Sequence, residues 1–258
     1  AVGYNALLAQ TVGTGNTAIG STAGDALTTG VNNTAVGLDA LGAETTGPTH
    51  VAIGKGALLV QVGAVGNVAI GATAMDANTT GAGNVAVGLD ALGANTTGAN
   101  NVAVGKNALL VATIATGNTA VGTTSGDALT TGVNNTAVGL DALGAETTGT
   151  TNVAIGKDAL LVQVGAIGNV AVGASAMDAN TTGANNVAVG LDALGGNTTG
   201  AANTAVGANA LKAMTTGVDN TAVGKDALLV ATTSSSNAAF GAYAGDALTT
   251  VANNTAIG

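Results

Sequence analysis

Apolar and polar residues alternate along this chain in a motif that returns, without a gap, every 17 residues. The pattern Asn-(Thr/Val)-Ala-(Val/Ile)-Gly begins at Asn16. It recurs at Asn33, His50, Asn67, Asn84, Asn101, Asn118, Asn135, Asn152, Asn169, Asn186, Asn203, Asn220, Asn237 and Asn254, with a partial copy at Ala1-Val2-Gly3. Numbered from its Asn, the repeat has Ala at position 3 and Gly at position 5 in all sixteen copies. Position 4 is Val or Ile except at Phe240, and position 8 is Ala except at Ser125. Most repeats carry Leu or Met at position 9 and Thr-Thr at positions 13 and 14, as in Thr28-Thr29 and Thr147-Thr148.

Asn-Thr-Ala-Val-Gly is a short β-branched run ended by Gly, which predicts a strand. Alternate strand residues share a face. Placing the larger aliphatic residues inside makes position 4 the core column: Val36, Ile53, Ile70, Val87, Val104 and their equivalents. A second, shorter strand around Asp-Ala-Leu would cap that column with Leu41, Leu92, Leu143 and Leu194. Positions 3 and 5 would then form a flat Ala/Gly strip outside, where another backbone could approach closely. The competing reading keeps Ala inside a narrow core and Gly in a turn. A helix over Leu-Asp-Ala-Leu-Gly-Ala is too short, because each such run meets Gly.

Constant repeat length over fifteen full steps is the mark of stacked turns, since one inserted residue would shift every ladder above it. The expected fold is therefore all-β: a parallel β-solenoid, or β-roll, of 17 residues per coil and fifteen or so coils across residues 1–258. A 51-residue period overlies the short one, in Leu38, Leu89, Leu140 and Leu191 and in Lys55, Lys106 and Lys157. The extra unit 203–219 delays the next such Lys to Lys225, so 17 residues is the coil and 51 is duplication or surface decoration. One coil cannot offset the entropy of ordering itself, which favours a long stack and association between chains. The chain starts and stops inside a repeat, and is read as a segment of a longer fibre protein.

Composition narrows this further. Aromatic residues are 1% and charged residues 7%, while apolar residues reach 47% and Gly numbers 42. That suits a thin core of small aliphatic groups and argues against disorder. A net charge of −9 with no basic patch argues against nucleic-acid binding. The apolar runs are too short for a membrane-spanning helix, so no membrane insertion is expected in this segment. There is no Cys to form disulfides or hold metal.

The Asn-Thr-Ala-Val-Gly-x-x-Ala-Leu pattern resembles the head repeats of trimeric autotransporter adhesins, and is similar to repeats of phage tail fibres and other large bacterial surface proteins. The resemblance spans all 258 residues, with a longer coil than the adhesin pattern. It implies a left-handed parallel β-roll, a homotrimer, and an extracellular place on a cell-surface appendage or virion fibre, with a host or surface receptor met through other regions.

Candidate chemistry is sparse. The Asn column (Asn33, Asn67, Asn84, Asn101, Asn135 and others) predicts a structural amide ladder. His50 sits on that column without a partner set and reads as a substitution in a turn. Asp39, Asp90, Asp141 and Asp192 lie three coils apart, about 14 Å at about 4.8 Å per coil, too far to share a metal ion. No catalytic residue, cofactor or metal site is expected, and Asn-x-Thr sequons at Asn32, Asn78, Asn95, Asn134, Asn180 and Asn197 follow from turn composition. The Leu-Leu-Val runs at Leu58, Leu109, Leu160 and Leu228 cannot all face one narrow core. Leu59, Leu110, Leu161 and Leu229 are therefore the expected contacts to a second copy. The function that fits is the non-catalytic shaft of an extracellular fibre or adhesin. The alternative is an ice-binding solenoid, on a Thr array, or a self-assembling surface-layer scaffold.

Overall fold

The computed structural model describes residues 1–258. The chain is an all-β parallel β-solenoid with one three-residue strand in each 17-residue coil and no helix. It groups into two compact units, Ala1–Thr131 and Gly132–Gly258. The first holds β1 (Thr17–Ile19), β2 (Thr34–Val36), β3 (Val51–Ile53), β4 (Val68–Ile70), β5 (Val85–Val87), β6 (Val102–Val104) and β7 (Thr119–Val121). The second holds β8 (Thr136–Val138), β9 (Val153–Ile155), β10 (Val170–Val172), β11 (Val187–Val189), β12 (Thr204–Val206), β13 (Thr221–Val223), β14 (Ala238–Phe240) and β15 (Thr255–Ile257). Within each unit the strands pair in parallel and in chain order, always with the residue 17 positions on: Ala35 with Ala52, Ala171 with Ala188.

The strand presents the opposite face from the one expected. Position 3 is inside: Ala52, Ala69, Ala86, Ala103 and Ala171 are fully buried. The expected core column points out. Ile53 and Ile70 are 38% and 37% exposed, and Val36, Val87 and Val104 are half-buried. Side chains alternate strictly, so one choice of face moves the whole set. The interior is too thin for β-branched groups facing Leu. It is filled instead by Ala at positions 3 and 8 and by Leu or Met at position 9: Leu41, Leu58, Met75, Leu92, Leu109, Leu143, Leu160, Met177 and Leu194 are at most 1% exposed. The Ala/Gly strip is thus not an outer contact surface. A Cβ at Gly37 would lie 2.6 Å from the carbonyl oxygen of Gly54, and Gly37 has φ +134. The close approach that demands Gly is between coils of one chain.

No second strand forms around Asp-Ala-Leu. That side is a run of turns with left-handed corners at positions 7 and 9, as at Asp39 (φ 55) and Leu41 (φ 55), and a third at position 17, as at Asn32 (φ 59). A left-handed Leu costs about 1–2 kcal/mol, which its complete burial offsets. In coil 16–32 the Leu slides to position 12. Gly24 then takes the left-handed corner with φ 57, and Leu27 fills the core from three residues further on. The turns are laddered as fully as the strands: Leu41 N–H donates to Ala57 O (2.9 Å), and Asp39 N–H to Ser21 O (3.1 Å). Backbone groups on every side of the coil therefore find partners one coil away, which is why the length of the repeat is fixed.

Candidate functional site

Three features carry whatever specificity this chain has: the Asn ladder, a buried polar column at position 12, and the outer strand face. The ladder begins with the Asn at position 1, which is buried in coil after coil. Its side chain has two tasks. Asn33 Nδ2 donates to Gly47 O (3.0 Å), closing its own coil, while Asn33 Oδ1 accepts the His50 N–H (2.8 Å), joining the next. Asn67 does the same with Gly81 O and the Asn84 N–H, and Asn84 with Gly98 O and the Asn101 N–H. Asn101 bonds Ala115 O and the Asn118 N–H; in the second unit Asn135 bonds Gly149 O and the Asn152 N–H. These bonds run mainly from side chain to backbone rather than from amide to amide.

His50 is a full member of the ladder. Its ring is completely buried. Nε2–H donates to Ala64 O (2.9 Å) and Nδ1 accepts the Asn67 N–H (3.1 Å), so the two ring nitrogens copy the carboxamide N and O of an Asn. Those two partners, a carbonyl and an N–H, fit a neutral ring in the Nε2–H tautomer, with the Gln61 side-chain nitrogen crowded against Nε2 at 2.8 Å. Burial pushes the imidazole below its ordinary 6.5, against the pull of Ala64 O and the Glu44 charge. The expectation of a turn substitution without partners is replaced by a buried rung 3.7 Å from a carboxylate.

That carboxylate belongs to the position-12 column, which reading by consensus missed. The column runs Leu27, Glu44, Gln61, Asn78, Asn95, Ala112 in the first unit and resumes as Leu129; in the second it runs Glu146, Gln163, Asn180, Asn197, Met214. All are buried. Its identities repeat after 102 residues, not 51; the signal lay in reading down one register position whose residue type varies. Glu44 Oε1 accepts the N–H groups of Thr45, Thr46 and Gly47 (2.7–2.9 Å) and of Gly63 (3.0 Å). Oε2 accepts from Gln61 Nε2 (3.2 Å). Burial pushes this carboxyl up, but the amides of Gly47 and Gly63, the Gln61 side chain and the Thr46 amide together hold it below its ordinary 4.5. The amides then relay in one direction: Asn78 Nδ2 donates to Gln61 Oε1 (2.9 Å), and Asn95 Nδ2 to Asn78 Oδ1 (2.7 Å). Asn95 Oδ1 ends the relay without a donor, as does Asn197 Oδ1.

The column explains the two repeats that carry Val-Gly in place of Thr-Thr, at Val62-Gly63 and Val164-Gly165. In coil 16–32 the N–H groups of Thr28, Thr29 and Gly30 converge on Thr45 O of the next coil. In coil 33–49 the equivalent N–H groups turn inward to Glu44 instead. The next coil there carries Val62-Gly63, and Gly63, left-handed at φ 71, aims its own N–H at the same carboxylate. Glu at position 12 and Gly at position 14 of the following coil form one device, repeated at Glu146 and Gly165 (2.8 Å).

On the outside, positions 2 and 4 form two parallel rows of Thr, Val and Ile, broken only by Ala238 and Phe240, with no charge among them. In the Leu-Leu-Val runs the first Leu is core: Leu58, Leu109, Leu160 and Leu228 are buried. Leu59 is 37% exposed and Val60 40%, and Leu110, Leu161 and Leu229 are half-buried at the surface. The 51-residue Leu set is surface as well, with Leu38, Leu89, Leu140 and Leu191 exposed. Carboxylates do approach in pairs across coils: burial, then the neighbouring Asp90, raises Asp76, and burial, then Asp192, raises Asp178. No three acidic or imidazole groups converge on one point. The position-13 Thr hydroxyls are bound to the next coil, as Thr79 Oγ1 to Thr96 O (2.9 Å). Of the sequons, Asn78, Asn95, Asn180 and Asn197 are fully buried. No helix is long and apolar enough to cross a membrane. Compared with known protein families and with curated proteins, the sequence matches none.

Proposed function

We propose that this chain is the non-catalytic shaft of an extracellular fibre or surface adhesin, in which copies of the chain lie side by side, as a trimer in the arrangement that its resemblance implies. The observation that carries the reading is the division of labour within every coil. Polar specificity is directed inward, into the Asn ladder and the Glu/Gln/Asn column, and the outward strand face is an uncharged strip of Thr, Val and Ile. A surface with a chemical task would concentrate polar groups in a cleft; no pocket opens in this surface. Uncharged apolar rows of uniform pitch suit packing against a surface of the same pitch, and a second copy has it. Leu59, Leu110, Leu161 and Leu229 extend the apolar surface beyond the strand.

The test is oligomeric mass by light scattering over a wide concentration range. The native chain is expected to associate. Ile53→Lys with Ile70→Lys is expected to dissociate it without changing the β circular dichroism, because these side chains contribute little to the core. A native chain that stays monomeric at high concentration sinks the reading. The second reading, an ice-binding face, is favoured by the flat Thr-Val rows of positions 2 and 4 rather than by the Thr-Thr turns. Thermal hysteresis in a monomeric chain would select it.

A further inference from the structure

We propose that His50 is an acid-sensitive rung: in mild acid the coils around it open more readily, while the equivalent coils around Asn152 keep their protection. The geometry makes the case. Asn Oδ1 accepts an N–H at any pH, whereas an imidazole nitrogen accepts only while unprotonated. Nδ1 of His50 is committed to the Asn67 N–H (3.1 Å) and Nε2–H to Ala64 O (2.9 Å). A proton on Nδ1 would set two donors face to face and remove one of the hydrogen bonds that join coils 50–66 and 67–83.

The ring has no room to turn toward a better arrangement. Gln61 Nε2 lies 2.8 Å from Nε2, and the ring is completely buried. Glu44, from the preceding coil, is the one charged group facing it. Its own coil supplies Gln61 and the Ala64 carbonyl, and the following coil supplies Asn67, none of which titrates. Glu44 favours a protonated ring, but its oxygens already receive the N–H groups of Thr45, Thr46, Gly47 and Gly63 and the Gln61 amide. The lowered proton affinity of the ring agrees with this balance.

The sign follows. A group that binds its proton more weakly folded than unfolded gives stability above its unfolded value, about 6.5, which is lost as pH falls below it. At pH 5.5 the unfolded state gains a factor of up to about ten. Hydrogen exchange read by mass spectrometry at pH 7.5 and 5.5, corrected for intrinsic rates, tests this on the intact chain. Peptides spanning 44–67 are expected to lose protection in acid by up to about tenfold, and peptides spanning 146–169 to keep theirs. His50→Asn, which restores the commonest rung, should abolish the difference. Equal responses of the two segments, or an acid effect that survives His50→Asn, overturn the proposal. The single histidine allows an independent check by NMR on the unaltered chain: a ring that titrates at or above 6.5 also overturns it.

Discussion

The coils that follow Asn33 and those that follow Asn135 bury the same carboxylate in the same nest of amides, and differ at one rung. Where the rung is Asn152, Gln163 Nε2 reaches Glu146 at 2.8 Å and Asn152 Nδ2 holds Ala166 O at 2.8 Å. Where it is His50, the larger ring takes the carbonyl of Ala64, crowds the Gln61 amine, and leaves Gln61 3.2 Å from Glu44. An imidazole can thus stand in for a carboxamide, because both offer one donor and one acceptor at similar reach. The substitution lengthens a charge-assisted hydrogen bond and brings in a proton equilibrium. A buried anion without a cation is tolerated in both places because four backbone N–H groups and a polarised run of amides face it.

The largest effects are expected from breaking the Glu–Gly device in the unit that lacks the histidine. Glu146→Leu deprives Thr147, Thr148, Gly149 and Gly165 of their shared acceptor. It should cost about 3 kcal/mol or more. Gly165→Thr forces a β-branched residue into a left-handed corner now at φ 72, for about 1–3 kcal/mol. Together they place Leu at position 12 of one coil and Thr at position 14 of the next, beside Val164, as in coils 16–32 and 33–49, where the turn amides go to a backbone carbonyl of the next coil. The double variant should therefore lose less than the two single losses combined, by about 1–3 kcal/mol. Chemical denaturation of the four proteins checks this. Strict additivity would mean that the Glu and the Gly are unrelated.

Why some of this was legible and some was not follows from where the information sits. The coil length, the parallel pairing and the Asn ladder are written in residues that recur at fixed spacing, so sequence alone gives them. The inside of the strand was misjudged because hydrophobicity ranks Val36 and Ile53 above Ala35 and Ala52, whereas available width decides which of them is buried. An exposed Val breaks no rule. The corners at Asp39 and Leu41 were read as strand because Leu with positive φ is rare. The position-12 column escaped because Glu44, Gln61, Asn78, Asn95 and Ala112 look like five unrelated residues until they are stacked. His50 was on the right column from the start; its neighbour Glu44, six residues earlier in the chain, was not visible as a neighbour.

A middle-sized effect should appear when the difference is moved. Asn152→His places a ring beside Glu146, Gln163, Asn169 and Ala166, the same set that surrounds His50. The variant should acquire the acid step that the natural second unit lacks, weakening by up to about 1.4 kcal/mol at pH 5.5 relative to pH 7.5, the equivalent of tenfold. His50→Asn should remove it from the first. The Glu44 contribution is separate. Its carboxyl is held below 4.5, so its stabilisation is present above that value and lost only as pH falls through the lower folded one. Urea midpoints across pH 4–8 would resolve the two steps. If Asn152→His shows no new dependence above pH 5, the rung itself does not govern the response.

The smallest effect concerns the far end of the relay. Asn95 Oδ1 and Asn197 Oδ1 both lack a donor, but the next residue in the column is Ala112 in one unit and Met214 in the other. Ala112→Asn would offer Nδ2 to Asn95 Oδ1, as Asn95 now offers its own to Asn78, and would leave a new open acceptor one coil further on. One hydrogen bond is gained and one unmet acceptor is moved, so the change should stay within about 0.5 kcal/mol. Met214→Asn makes the same polar exchange but gives up a fully buried thioether chain, and should cost about 2 kcal/mol. Thermal unfolding of the two variants separates the terms. A loss at Ala112 as large as that at Met214 would show that the column's end is set by packing and not by the direction of its amides.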